Sequence, residues 1–431
     1  MNEVFIKQIK SYFPDNWQDY LTLLEQPYHQ GLFLNTNKAD KKEILDLIDF
    51  EIKQSNYNPS SYYHHNDSIG KSKVFDLGLI YPQDIASSFP ATFIDYQNIK
   101  TVVDLCSAPG GKTINVLNNL NNDVLCIAND INHRRSLELS KNLERLGLDN
   151  VIITNKDPNI LANQLKNFAD LVILDAPCSG EGMIRKYPDI LNNYSLDNIN
   201  QCSIIQKQLL ENAYDILNYG GQLLYCTCTY ALQEDENQII EFLNNHDDME
   251  LVELNGSNSI YLKGTIKLSP LNDTEGQFIC LLRKKGNKLD YKYNHLNTIK
   301  DKAVDNFIKD NLNISNYYLY KYNNHFYLSL IPLIDLGNNI IKYGIYLGDI
   351  DKNQLQINHH LYRSNSLRPY FKYIYELNDE EYLTYISGNV FKTNNPDQYY
   401  LLTYHNHSIG YGINKKGIIK NKYPKGLRRM I

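Results

Sequence analysis

The chain has 431 residues, 42% of them hydrophobic and 21% charged, with a formal net charge of −6. That length suits about three packed domains of roughly 150 residues, and no apolar run reaches the ~18 residues of a membrane-spanning helix. The seven cysteines are scattered, which argues against a disulfide framework and for a reducing compartment; with no signal-type stretch in the opening MNEVFIKQIK, the expected location is the cytoplasm.

Charge is uneven along the chain. Seven Lys or Arg follow from Lys415 onward, and no acidic residue follows Asp397. A polyanionic partner and a plain solvated surface both fit such a tail.

In chain order, residues 1–95 read as an N-terminal helical region. TVVDLC (101–106) is a β-branched run ending at a Gly-rich turn, and Thr113 to Leu120 reads as helix. DVLCIAND (123–130) is a second strand. Residues 132–146 follow with apolar spacing at Leu137, Leu139, Leu143 and Leu146, stopped by Gly147. VIITNKD (151–157) and DLVILDAP (170–177) are the third and fourth strands. A long amphipathic helix over 199–218 is expected to stop at Gly220 and Gly221 before a fifth strand, QLLYCTC (222–228). The alternation predicts an α/β fold with a doubly wound, mostly parallel sheet over 96–285. Such sheets bind ligands beyond the carboxyl ends of their strands, where the strand order reverses.

A Lys-, Gly- and Asn-rich stretch near 284–290 reads as a linker to a small α+β segment, 286–362, containing FYLSLIPL and YGIYLGDI. From 363 to 431, YLTYISGNVF, YYLLTYHN and SIGYGIN read as short strands with Gly turns.

Each core strand ends on a residue capable of chemistry. The first runs into CSAPGGKT, where small residues and two glycines let a ligand approach a helix N-terminus. The loop is not a Walker A motif, because the position that needs the first glycine is Cys106, and no GxGxxG is present. Asp130 ends the second strand, where an acid can accept both hydroxyls of a ribose. Asp157 ends the third, placed to accept from an adenine amino group. Singly each acid is better read as a helix N-cap or surface residue. Together they describe an adenosine pocket without a pyrophosphate cradle, which suits S-adenosylmethionine better than a dinucleotide.

The fourth strand ends in DAPCSGEG (175–182) and the fifth in YCTCTY (225–230). If these strands are neighbours, Asp175, Cys178 and Cys228 face one crevice. Cys226 shares a face with Cys228, but it lies inside the apolar run, whereas Cys228 is at the carboxyl end. Cys106, Cys126, Cys202 and Cys280 read as structural thiols. No metal is expected, because a lone C-x-C with no second pair or nearby His does not fill four ligand positions.

VVDLCSAPGGKT, ANDIN, NKD, LDAPCSGEGMIRK and YCTCTY together resemble the NOL1/NOP2/Sun family of RNA cytosine-5 methyltransferases. YPQDIASSFP (81–90) resembles the family's lead-in segment. YGIYLGDI and IGYGINKKGIIKNKYPKGLRR (409–429) resemble the C-terminal extension of its RsmF type, with a PUA-like RNA-binding module. Ser107 departs from the alanine common in the family; both are small.

The resemblance implies a Rossmann-like class I methyltransferase core, an N-terminal RNA-binding region and a PUA-like domain over 363–431. It implies that Cys228 is the nucleophile and that Cys178 resolves the covalent adduct. Asp175 would bond the N3/N4 edge of the cytosine, as the protonated acid at N3, and lie near the cofactor. Cys106, Ser107, Ala108, Pro109, Gly110, Gly111 and Lys112 would form the S-adenosylmethionine loop, with Asp130 on the ribose and Asp157 on the adenine. Lys186 reads equally as a phosphate contact and as a surface lysine. The expected partner is RNA, foremost ribosomal RNA of the small subunit or its precursor, met by a monomer with no membrane and no metal. Transfer RNA as substrate, or a non-catalytic RNA-binding ribosome assembly factor, are the competing expectations.

Overall fold

The computed structural model describes residues 3–290, 293–352 and 354–429. Its centre is a nine-stranded mixed sheet. The strands are β1 (Thr101–Asp104), β2 (Leu125–Asn129), β3 (Val151–Thr154), β4 (Ala169–Asp175), β5 (Leu217–Thr227), β6 (Met249–Val252), β7 (Ile266–Leu268), β8 (Gln277–Lys284) and β9 (Ile340–Tyr343). Five run parallel in the order β3-β2-β1-β4-β5. Helices cover both faces, so the inner strands are apolar throughout; every residue of β2 and β3 is buried. The chain proceeds from β1 through β2 to β3 on one side and resumes at β4 on the other. The reversal point therefore lies between β1 and β4.

The helices are α1 (Gly111–Leu117), α2 (His133–Leu146), α3 (Pro158–Gln164), α4 (Leu196–Ile216) and α5 (Glu236–Asn245). Asn132 caps α2 by accepting from Arg135 N, and Gly147 ends it in the left-handed region. Leu139, Leu143 and Leu146 form its buried stripe, but Leu137 is 41% exposed, being half a turn off that stripe. α4 differs more from expectation. It stops at Ile216, and Gly220 and Gly221 lie inside β5, which begins at once with Leu217. The glycines serve an irregularity in the strand, where the β4–β5 register shifts between Ala169 and Leu171. A Cβ at Gly221 would sit 2.8 Å from Leu217 Cδ1.

Antiparallel strands flank the parallel set. β8 pairs with β5, and β6 and β7 pair with β8. At the other end β9, contributed by the segment after the linker, pairs with β3.

The N-terminal region is mixed rather than helical throughout. Helices Glu3–Tyr12 and Trp17–Leu24 precede a four-stranded antiparallel sheet built from Gln30–Leu34, Ile52–Gln54, Ser61–His64 and Ile80–Pro82. These strands have three to five residues, too few for a period-2 pattern to stand out.

Downstream, helix Lys302–Asn311 accompanies a four-stranded sheet, and the last module carries a five-stranded sheet. Within it YLTYISGNVF, expected as strand, is corrected: Asp379–Ile386 is a helix. Asn378 and Glu381 form a reciprocal capping box, and Tyr382, Tyr385 and Ile386 bury one face at helical spacing. This module shares a core with the N-terminal one, where Leu32, Leu34 and Tyr62 pack with Tyr382, Tyr385 and Tyr404. Tyr382 OH donates to Asp76 Oδ2 at 2.7 Å. Among the described residues no helix is long and apolar enough to cross a membrane.

Candidate active site

β4 and β5 run parallel with Asp175 opposite Cys226, so the loops that follow them leave the sheet side by side. Ala176 N donates to Cys226 O and Gly182 N to Cys228 O, each at 2.9 Å. These bonds bring Cys178 Sγ to 3.1 Å from Cys228 Sγ, and Cys228 N donates to Cys178 Sγ at 3.3 Å. Contact with the second sulfur, then burial, pushes the Cys178 thiol well above its ordinary range. Cys226 is fully buried among core residues.

Gly182 makes this approach possible. Its backbone lies against Gly276, and a Cβ at Gly182 would fall 2.5 Å from Gly276 Cα. Gly182→Ala is expected to cost about 1–3 kcal/mol through overpacking, visible as a lowered melting temperature. A variant as stable as wild type would show that the two loops can separate freely.

The β1 loop is held from several sides. Ser107 N donates to Asn129 O at 2.7 Å, and Asn142 Nδ2 to Pro109 O at 2.9 Å. Arg135 donates to Ala108 O. Gly110 has φ 114°, in the region that favours glycine. Asp104 was not singled out from the sequence, although it ends β1. It is 1% exposed, and Thr113 Oγ1 donates to it at 2.6 Å. Burial lifts its carboxyl to about 7 from an ordinary 3.8. The folded state then holds a proton that the unfolded chain has released, so stability falls as pH rises from about 4 to about 7. Asp104→Asn should flatten that stretch of a denaturant-stability profile; an unchanged slope would remove Asp104 as its source.

Lys112, 6% exposed, reaches across to Asp175 with Nζ 2.8 Å from Oδ1. Burial opposes its charge, but the attraction of Asp175 prevails and holds the ammonium above its usual range. Asp175, which the resemblance places at the cytosine edge, therefore has a cation against one carboxyl oxygen. Gln277, also unforeseen, donates to Thr227 O at 2.7 Å and accepts from Lys112 at 3.5 Å.

Asp130 is buried. One carboxylate oxygen accepts from Asn132 N at 2.8 Å; the other has no hydrogen-bond donor, with Arg135 3.4 Å away as an ion pair. Asp157 is exposed and caps α3, accepting from Asn159 N at 2.8 Å. Cys106 to Pro109, Gly111, Lys112, Asp130, Asp157, Asp175, Cys178 and Cys228 all line one cavity of about 780 Å³. Gly110 is buried behind the loop and is not part of the lining. Lys186 stands at the wall between the rings of Tyr28 and Tyr187, 5.7 and 5.4 Å from their centres. The N-terminal region adds Tyr81, Gln83 and Asp84. The signal for these was present in YPQDIASSFP.

Beneath the two cysteines lies a buried polar network that the sequence did not announce. Glu181 accepts from Thr229 Oγ1 and Tyr230 N, each at 2.9 Å, and from Tyr194 OH. Thr227 Oγ1 donates to Asp235 at 2.5 Å, and Lys267 offsets Asp235 and Glu236 at 3.1 and 2.8 Å. Among the described residues no group of three or more His, Cys, Asp or Glu is arranged to hold a metal ion.

A five-stranded parallel core with its ligand cavity at the strand reversal, acids ending β2 and β3, and no pyrophosphate cradle is the Rossmann-like class I methyltransferase architecture. Residues 91–283 match the family model described as 16S rRNA methyltransferase RsmB/F. Residues 1–85 match the N-terminal domain of 16S rRNA methyltransferase RsmF, and residues 372–429 the methyltransferase RsmF PUA domain. Together these models span well over half of the chain, and the chain belongs to the RsmB/F methyltransferase family.

It is 29% identical over 301 residues to ribosomal RNA small subunit methyltransferase F of Escherichia coli O1:K1 / APEC, covering 65% of this chain and 63% of that one. The match therefore spans less than two thirds of that relative's length. A methyltransferase homolog protein from Pyrococcus horikoshii superposes with a TM-score of 0.59 at 28% identity, covering 66% of this chain and 95% of that one. NSun6 from the same organism, with SFG, superposes with a TM-score of 0.60 at 21% identity, covering 66% and 99%, a likeness of fold.

Proposed function

We propose that this chain transfers a methyl group from S-adenosylmethionine to carbon 5 of a cytosine in RNA, foremost 16S ribosomal RNA. The observation that carries the reading is the pair of thiols 3.1 Å apart at the carboxyl ends of neighbouring strands, opening on a cavity that also contains Asp175. The RsmB/F and RsmF PUA matches, and the name of the Escherichia coli relative, support ribosomal RNA as the substrate. Work on that RNA belongs in the cytoplasm.

The cavity suits the cofactor. The buried, donor-free oxygen of Asp130 is an acceptor for ribose hydroxyls, and the loop from Cys106 to Lys112 can approach a ligand closely at Gly111, which lines the cavity. Asp157 would take the adenine amino group, and Asp175 lies on the same wall. Bound there, S-adenosylmethionine supplies the methyl group. Asp130→Ala removes a hydrogen-bonding carboxylate and should weaken cofactor binding about 10- to 100-fold. Calorimetric titration checks this, and an unchanged affinity would take Asp130 out of the site.

The protein's own groups handle the base. Carbon 5 of cytosine is a poor nucleophile. Addition of the Cys228 thiolate to carbon 6 makes carbon 5 an enamine carbon able to attack. Asp175 accepts from the N4 amino group, and the Lys112 ammonium beside it offsets the electron density pushed toward N3. After methylation solvent water takes the proton from carbon 5, the electrons of that bond restore the C5–C6 double bond, and Cys228 is expelled from carbon 6 with the C–S electron pair. The Cys178 thiol, kept neutral by its surroundings, returns a proton to Cys228 Sγ as that bond breaks. To enter the cavity, the cytosine must be unstacked, which costs least in a loop or junction of RNA.

Bisulfite mapping of RNA from cells with and without the gene tests the proposal. One or more 5-methylcytosines in 16S RNA should vanish. Loss confined to transfer RNA would move the substrate, and no loss in any RNA would overturn the activity.

A further inference from the structure

We propose that Gln206 and Glu234 are positioning residues that clamp the peptide on both sides of Cys178 and keep its thiol on Cys228. The inference rests on the function proposed above and assigns the placement of Cys178, for the second half of that reaction, to residues outside the cavity.

The loop that carries Cys178 follows β4 without regular structure, and Pro177 has no N–H to anchor it. Two side chains hold it instead. Gln206, on α4 and fully buried, donates through Nε2 to the carbonyl oxygen of Pro177 at 2.9 Å. The same nitrogen donates to Glu234 Oε2 at 2.8 Å, and Glu234 Oε2 accepts from Ser179 N at 3.0 Å. The residue before Cys178 and the residue after it are thus gripped by two side chains that also grip each other. Neither belongs to the cavity wall, so neither is placed to touch the base.

The ring is braced on the Cys228 side. Ser179 Oγ lies 2.8 Å from Thr229 Oγ1, one residue past Cys228, and Thr229 in turn donates to Glu181. Glu234 is itself pinned, because its carbonyl accepts from Tyr225 OH at 2.6 Å.

Burying these groups is unfavourable. Glu234 is fully buried, desolvation lifts its carboxyl to about 7, and Glu234 Oε1 and Gln206 Oε1 have no hydrogen-bond partner. An apolar pair of similar size would pack α4 against the loop without that penalty, but could not hold a carbonyl and an amide at fixed positions. The gain is placement of the intervening sulfur, which matters only for the step in which Cys178 acts on Cys228.

The test uses the full-length protein, tritiated S-adenosylmethionine and RNA from cells lacking the gene. Adducts are read on denaturing gels and turnover as released methylated RNA. Glu234→Ala and Gln206→Met should still form the Cys228 adduct, but release product more slowly by on the order of 10- to 100-fold, the scale for a displaced catalytic group. Trapped complex then accumulates. Glu234→Gln keeps an acceptor for Ser179 N and should restore most of the release rate. If Glu234→Ala does not fold, Gln206→Met, which preserves volume, decides alone. Normal release by Gln206→Met, or adduct formation and release falling in equal proportion, overturns the clamp. Wild-type protein that methylates nothing would instead overturn the function proposed above, and the two failures are separate.

Discussion

Cys228→Ala is expected to reduce methyl transfer by at least about a thousandfold, since it removes the nucleophile of the proposed covalent step, and to leave no RNA–protein complex on a denaturing gel. The other sulfurs are badly placed to take over. Cys226 is fully buried in the sheet core. Cys178 lies on the neighbouring loop, and its thiol is held well above the ordinary range by the Cys228 sulfur and by burial. Removing Cys228 relieves the first of these influences, so any residual rate is expected to run through Cys178. A variant that methylates at near the wild-type rate would mean that the nucleophile is elsewhere.

Cys178→Ala should behave in the opposite way. In the proposed mechanism adduct formation needs only Cys228, so it should proceed; release needs a proton delivered to a sulfur 3.1 Å away, so it should stall. A covalent complex stable in denaturant should accumulate, with release slowed about 100-fold or more, the usual scale for loss of a positioned acid or base. The two substitutions therefore separate on one gel. Exchange of their phenotypes would reverse the roles of the cysteines, and identical phenotypes would remove the two-step mechanism.

The parallel core was legible because each of its strands is a nearly continuous apolar run ending in a turn, and burial on both faces demands that composition. The residues of the candidate site could be named for a related reason: in this architecture ligand groups lie where strands end, and Asp130, Asp157, Asp175, Cys178 and Cys228 stand at those ends. What stayed hidden depends on long-range contacts. Gln206 and Glu234 are 28 residues apart in sequence and look like ordinary helix and loop residues until α4 packs on the Cys178 loop. Asp104 reads as a strand residue until Thr113 turns back toward it. The N-terminal strands were too short to declare a period, and YLTYI, rich in β-favouring residues, became a helix because its capping box and buried face outweighed propensity.

The pairing of β9 with β3 has a practical consequence. Ile340, Lys342 and Tyr343 of the downstream segment complete the hydrogen bonding of β3 across from Thr154, Ile153 and Ile152. A fragment ending near residue 285 would contain the whole cavity yet leave β3, four apolar or β-branched residues long, as a bare rim open to pairing with other chains. Such a minimal catalytic fragment should express as aggregate. Retaining the chain through Tyr343, or placing a charged residue on that rim, should return it to solution.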